Sequence, residues 1–197
     1  MPRISYIVST HNTLDRLPCC LWSLRAQTDQ DFEVIIADNS EGKTEQLLIH
    51  EIALSIFPKC RYFATQEPEC FHSANKVAPL AHGEFLAFPS DDSYFMPVFG
   101  EAMYAAAMYT PADFVMCHMV YDDRCGHGRY TAIPQKPERF WCDKTGFIIR
   151  KDKFPGFPNI KLYGSREEMS ADGEMAELVV LQGTSWKVIP DVLVCHN

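Results

Sequence analysis

The sequence predicts an α/β protein, with a mostly parallel central sheet flanked by helices. Three observations carry that expectation. Short apolar, β-branched runs alternate with stretches of helical periodicity, the mark of strands joined by crossover helices. Each run ends in a polar turn, so right-handed crossovers set residues 10–12, 38–40 and 90–92 along one sheet edge. The chain has 197 residues and is 47% hydrophobic, enough for a sizeable core in one domain.

Residues 4–10 are mostly apolar and read as a buried first strand, broken by His11-Asn12-Thr13. Leu14, Leu17, Leu21 and Leu24 then recur at near-helical spacing over 14–27. Pro18 falls in the first turn of that helix, where its missing N–H costs nothing. Residues 31–40 form a second strand with its turn, followed by a helix over 44–57 and a short strand over 61–64. Residues 71–80 read as a helix leading into the apolar run 85–88, and 98–109, rich in Ala and Met, as another helix. Strands are expected over 113–121 and 146–150, with a hairpin tip over 122–129. Residues 154–171 are irregular, and a loop of that length is usually functional or disordered. A helix over 172–182 closes at Gly183, and a last strand occupies 186–190, followed by residues 192–197.

Composition excludes several functions. The net charge is −8 and no basic run of five or six residues occurs, which argues against nucleic acid as the main partner. No apolar stretch approaches the ~18 residues that cross a bilayer, so no transmembrane segment is expected. None of the eight cysteines forms a C-x-x-C pair, and the N-terminus reads as a strand rather than a signal peptide. Free thiols in a reducing cytoplasm are therefore expected. The cluster Cys117, His118, Cys125, His127 and Cys142 matches no standard zinc spacing. Oligomeric state leaves no trace in the sequence.

Residues 83–97 hold the densest signal. The apolar run 85–88, bounded by Gly83 and Pro89, ends in Ser90-Asp91-Asp92. Strand ends in open α/β sheets point into the crevice where ligands bind. Adjacent carboxylates there are costly unless a cation or a donor lies beside them. Two readings are open: a divalent metal carrying a diphosphate, or a solvated loop in which one Asp caps the next helix.

Six motifs stand in order. They are Ile7-Val8-Ser9-Thr10-His11-Asn12; Leu21-Trp22-Ser23-Leu24-Arg25-Ala26-Gln27-Thr28; and Phe32-Glu33-Val34-Ile35-Ile36-Ala37-Asp38-Asn39-Ser40. Then come Asn75 with Ala81-His82-Gly83-Glu84-Phe85; Ser90-Asp91-Asp92 with Pro97; and Ala171-Asp172-Gly173-Glu174 ahead of Gly183. Together they resemble glycosyltransferase family 2, whose domain has the nucleotide-binding GT-A fold, with a Rossmann-like half and a small acceptor-side lobe. Each motif is weak singly; their order, nearly end to end, is specific.

The resemblance implies an inverting, metal-dependent enzyme. It would move a sugar from a nucleotide-diphospho-sugar, UDP-linked by expectation, to a hydroxyl acceptor. Residues 1–97 would bind the donor and 98–197 the acceptor. Thr10 and Asn12 would line the base pocket, and Asp38 would accept a hydrogen bond from the base, although Asp38 also suits a turn. Asn75 belongs to the same binding set, and Ala74 replaces a frequent Arg, which shifts a phosphate or base contact to Lys76. Asp92 would bind Mn²⁺ or Mg²⁺, with Asp91 beside it near the ribose or the metal's waters, and His196 as a further metal ligand. Asp172 would be the general base, although it also suits a helix N-cap. Trp141 is a candidate to stack on an acceptor sugar, and Lys161 and Arg166 to close over the diphosphate. Ser90 stands where the family's first acid stands, which motivates a rival: a degenerate domain that binds a nucleotide sugar or a partner without turnover. A nucleotidyltransferase would show a Gly- and basic-rich phosphate loop after the first strand, and Thr10-His11-Asn12-Thr13 lacks one.

Overall fold

A strand that is apolar on both faces needs cover on both sides. β1 (Ile4–Thr10) is buried along its whole length, and the sheet is built outward from it. It pairs in parallel with β2 (Phe32–Asp38) on one side and β4 (Phe85–Ala87) on the other; β2 pairs in parallel with β3 (Arg61–Ala64). The crossovers are α1 (Leu17–Arg25), α2 (Lys43–Ile56) and α3 (Cys70–Val77). This computed structural model describes residues 1–67, 69–123, 128–138, 142–158 and 171–196. Cys125, His127, Trp141, Lys161 and Arg166, singled out above, lie outside the described residues.

The second half of the chain extends the same sheet. Its elements are β5 (Ser93–Phe95), α4 (Phe99–Tyr109), β6 (Phe114–Asp123), β7 (Gly128–Ala132), β8 (Phe147–Arg150), α5 (Ala171–Leu181) and β9 (Trp186–His196). The strand order is β3-β2-β1-β4-β8-β6-β9-β5, with β7 on β6. The sheet is parallel through the first half. Beyond β4 it is mixed: β8 runs antiparallel to β4 and β6, β7 to β6 and β5 to β9, while β6 and β9 are parallel.

Alternation along the strands feeds two core layers. Tyr6, Val8, Ile36, Phe85 and Val115 face α1, α2 and α4, through Leu21, Ile49 and Phe99 among others. Ile7, Ile35, Leu86, Phe114 and Ile149 face α3 and α5, through Val77, Met175 and Val179.

Two motif segments turn out to be structural. A Cβ on Gly83 would lie 2.5 Å from the Ser5 backbone nitrogen, so only glycine lets the start of β4 close onto β1. Gly83 N–H donates to Ser5 Oγ at 2.8 Å. Gln27, buried at the end of α1, accepts from Gly100 N–H at 2.9 Å and donates to Met96 O at 2.8 Å. Ser23 Oγ accepts from Phe95 N–H at 3.1 Å. The Ser-x-x-x-Gln-Thr pattern thus clamps the segment that follows the Asp pair.

Differences from the expected elements have local causes. The segment after Asp92 enters β5, and Val98 precedes α4 without a side-chain cap, so neither Asp91 nor Asp92 caps a helix. The expected last strand runs on past Pro190 to His196 as β9, with a bulge: Ile189 pairs with Cys117 and Val192 with His118, leaving Pro190 and Asp191 between. Proline is tolerated there because the bulge needs no N–H from it. Among the described residues no helix is long and apolar enough to cross a membrane, and none of the seven described cysteines is in a disulfide.

Candidate functional site

The C-terminal ends of β1, β2 and β4 meet at one edge, as the alternation predicted. A parallel bridge between Ser9 and Ser90, with Ser9 N–H donating to Pro89 O at 3.2 Å, carries residues 90–92 alongside the end of β1. Thr10 Oγ1 lies 2.8 Å from Thr13 Oγ1, and the Thr13 hydroxyl donates to Asp91 Oδ2. Thr13 spends its proton on the carboxylate, so Thr10 is the donor to Thr13. His11 N–H also points at Asp91 Oδ2, at 3.4 Å. Asp91 is therefore held by the turn after β1.

Asn12 adopts φ +55°, a left-handed conformation that Asn tolerates better than most residues. Its N–H donates to Ser40 Oγ at 2.9 Å. His11 Nδ1 lies 3.0 Å from Asn39 O, a pure acceptor, so Nδ1 carries the proton and Nε2 accepts from Asn12 Nδ2 at 3.2 Å. Asp38 is fully buried. One carboxylate oxygen accepts from Ser40 N–H at 2.8 Å and the other from the Tyr62 hydroxyl. Burial and the Asp38 partner push the Tyr62 phenol pKa up, which keeps it a donor. His11, Asn39, Ser40, Gln46, Gln66 and Glu67 line a polar cavity of about 400 Å³ beside this network, within the size range of small-molecule sites.

Asn75 and Lys76 spend their side chains on the protein. Asn75 Nδ2 donates to Phe157 O at 2.8 Å and its Oδ1 accepts from Phe157 N–H at 2.7 Å, tying α3 to the stretch after β8. The cavity it lines, with Leu86 and Phe154, shares no residue with the polar one. Lys76 Nζ donates to Thr65 O and Glu67 Oε1, both at 2.8 Å.

Asp92 lies at the junction of the two halves. β5 pairs with β9 so that Ser93 opposes His196, and this sets Asp92 Oδ1 3.7 Å from His196 Nδ1. Ser93 Oγ lies 2.8 Å from the same nitrogen. Arg16, just before α1, places Nη1 3.8 Å from Asp92 Oδ2. Burial raises the Asp92 pKa and the nearby Asp91 adds to it, while His196 opposes.

Asp172 sits in the first turn of α5. Its Oδ2 accepts from Lys144 N–H at 3.0 Å and its Oδ1 from Gly173 N–H at 2.9 Å. Burial, then the neighbouring Asp143, push its pKa up to about 7, against those two donors. Asp143 is held below the ordinary carboxylate range despite burial, by His196 and by donors from Thr145 and Tyr121. Tyr121 donates to Asp143 Oδ2 at 2.6 Å, and its ring meets His196 edge-on at 5.4 Å, which links the two ends of the site. Sequence reasoning missed Arg16, Asp143 and Lys144. Asp143-Lys144-Thr145-Gly146 looks like any polar turn, and nothing local marks its place in the site.

Comparisons with known proteins come on top of this geometry. Glycosyl transferase family 2, as a sequence profile, matches residues 5–163. A Haemophilus influenzae protein named only as an uncharacterized glycosyltransferase is 27% identical over 160 residues, 81% of this chain and 52% of that one. The provisionally named glycosyltransferase EpsH of Bacillus subtilis is 28% identical over 117 residues, 59% of this chain and 33% of that one. The chain thus matches about half or less of the length of these relatives. S. aureus TarS 1-349 superposes with a TM-score of 0.77 at 20% identity, over 99% of this chain and 60% of that one. The same protein has been solved with UDP-GlcNAc, with a TM-score of 0.74 at 22% identity, over 98% and 58%. The mannosyltransferase PcManGT from Pyrobaculum calidifontis, in complex with GDP-Man and Mn²⁺, gives 0.72 at 16%, over 99% and 56%. The fold is that of GT-A glycosyltransferases, and the chain belongs to glycosyl transferase family 2.

Proposed function

We propose that the chain transfers a sugar, with inversion, from a nucleoside-diphospho-sugar to a hydroxyl acceptor. UDP is the first nucleotide to test, because solved relatives bind UDP and UDP-GlcNAc. The observation that carries this reading is the convergence on one edge of three parts. These are the polar cavity at the ends of β1 and β2, the Asp92–His196 pair at 3.7 Å, and a carboxylate on α5 with a pKa near 7.

In this reading residues 1–97 take the donor and 98–197 the acceptor. Thr10, Asn12 and Asp38 shape the base pocket, Asp38 by fixing Ser40 and Tyr62. Lys76 braces its far wall through Glu67, Asn75 holds α3 in place through Phe157, and Asp91 anchors the turn after β1 beside the ribose. An oxygen and a nitrogen donor this close suit a divalent cation that takes its other ligands from water and phosphate. No group of three or more His, Cys, Asp or Glu side chains among the described residues is placed to hold a metal by itself. Asp92 and His196 would hold Mn²⁺ or Mg²⁺ with the diphosphate, and the cation would neutralise the charge of the leaving group. Asp172 takes the acceptor's proton as its oxygen attacks the anomeric carbon from the face opposite the diphosphate. The Lys144 and Gly173 N–H groups keep that carboxylate oriented. A cavity of about 200 Å³, lined by Met116, Cys117, Met119, Tyr121, Cys142 and Asp143 among others, offers space on the acceptor side.

The test is turnover across a panel of UDP- and GDP-sugars with Mn²⁺. Asp172→Asn is expected to remove turnover by 10²-fold or more while UDP binding persists. A panel without turnover in the wild type favours the binding-only domain that Ser90 motivates.

A further inference from the structure

Lys144 is a buried lysine, 7% exposed, in the turn before β8. Its ammonium stands 5.6 Å above the Phe71 ring at the start of α3. Its own N–H holds Asp172, so its backbone is fixed relative to the candidate base. Burial pulls its pKa down, but Cys70 and the carboxylates of Asp143, Asp91 and Asp172 outweigh burial and keep it charged.

Those acids are committed elsewhere. Asp143 accepts from Thr145 and Tyr121, Asp91 from Thr13 and His11, and Asp172 from two backbone N–H groups. Among the described residues none of the ion pairs within 4.0 Å involves Lys144. A lysine present only to neutralise the acids would lie against one of them, because a buried ammonium needs its hydrogen bonds satisfied. The ammonium of Lys144 lies instead over the Phe71 ring, within electrostatic reach of Asp143, Asp91 and Asp172.

We propose that Lys144 is an anion-binding residue of the donor site, whose ammonium hydrogen-bonds the diphosphate of the nucleotide sugar. The inference rests on the donor-site reading above. When the bond between the anomeric carbon and the phosphate oxygen breaks, its electron pair stays on that oxygen. The new bond forms from the acceptor oxygen, whose proton goes to Asp172. Lys144 donates hydrogen bonds throughout and gives up no proton; charge-assisted bonds of this kind strengthen as the oxygen gains charge.

Calorimetry of UDP and of uridine, with and without Mn²⁺, on wild type, Lys144→Met and Lys144→Arg tests this. Lys144→Met is expected to weaken UDP binding by about tenfold or more, with uridine unchanged, and Lys144→Arg to stay within about threefold of wild type for UDP. UDP affinity in Lys144→Met equal to wild type overturns the proposal, and so does an equal loss for UDP and uridine, which marks a structural role. If Lys144→Met does not fold, Lys144→Gln is read by the same two outcomes. Wild type that binds neither UDP nor GDP overturns the donor-site reading and this inference with it.

Discussion

At the scale of single residues, Asp172 has to be ionised to act as a base, and its pKa stands near 7. The ascending limb of kcat/KM against pH is therefore expected to have its midpoint near 7; a limb centred at 4 to 5 would remove Asp172 from the role. The sign for stability is opposite. A carboxyl whose pKa is raised in the folded state favours folding when protonated, so its contribution is lost as pH climbs through about 7. The denaturant midpoint of Asp172→Asn relative to wild type should thus move in the variant's favour between pH 5 and pH 8. Asp38 makes a second case. Asp38→Ala leaves Ser40 N–H and the Tyr62 hydroxyl without their acceptor, and a loss of about 1–3 kcal/mol is expected in denaturant unfolding. Stability unchanged in that variant would mean that Asp38 is not the anchor its hydrogen bonds describe. The positions of Thr10, Asp38, Asp92 and Asp172 were legible because motif order and strand ends mark them. What Asp38, Asn75 and Lys76 bond to was not. The Phe157 backbone that occupies Asn75 lies 82 residues away, and no local pattern encodes that meeting.

At the scale of elements, β1 to β4 and all five helices were readable, because apolar runs and helical periodicity are local signals. β5 and β7 were not. Ser93-Tyr94-Phe95 is three residues between an Asp pair and Met96-Pro97, and it becomes a strand only because β9 returns to pair with it. β9 reads as a strand only as far as Pro190 because the bulge at Pro190 and Asp191 interrupts its pattern. This late pairing matters most, since it is what brings His196 to Asp92. Two glycines separate close approach from backbone conformation. Gly83→Ala must displace the Ser5 backbone, with a cost of about 2–3 kcal/mol expected in unfolding experiments. Gly183, at φ +73° with no heavy atom within 4 Å of its would-be Cβ, should cost only about 1 kcal/mol as Ala. Equal losses at the two sites would contradict the packing account of Gly83.

At the scale of the whole molecule, the parallel half and the mixed half share one sheet, and the site lies where they meet. Asp91 is tied to the turn after β1, Asp92 faces His196 on β9, and Asp172 on α5 is held by the turn before β8. Charge explains why a cation is expected there. Asp91, Asp92, Asp143 and Asp172 face Lys144, Arg16 and one imidazole, so an anionic diphosphate needs further positive charge to enter. Asp92→Ala is accordingly expected to abolish the metal-dependent part of nucleotide binding while leaving the thermal transition within a few degrees of wild type. The most direct measurement is a calorimetric titration of UDP into the wild-type chain, first with Mn²⁺ and then with EDTA. Saturable one-to-one binding that weakens at least tenfold in EDTA is the predicted result. Absence of binding for both UDP and GDP, with the metal present, would contradict a nucleoside-diphosphate site at this edge.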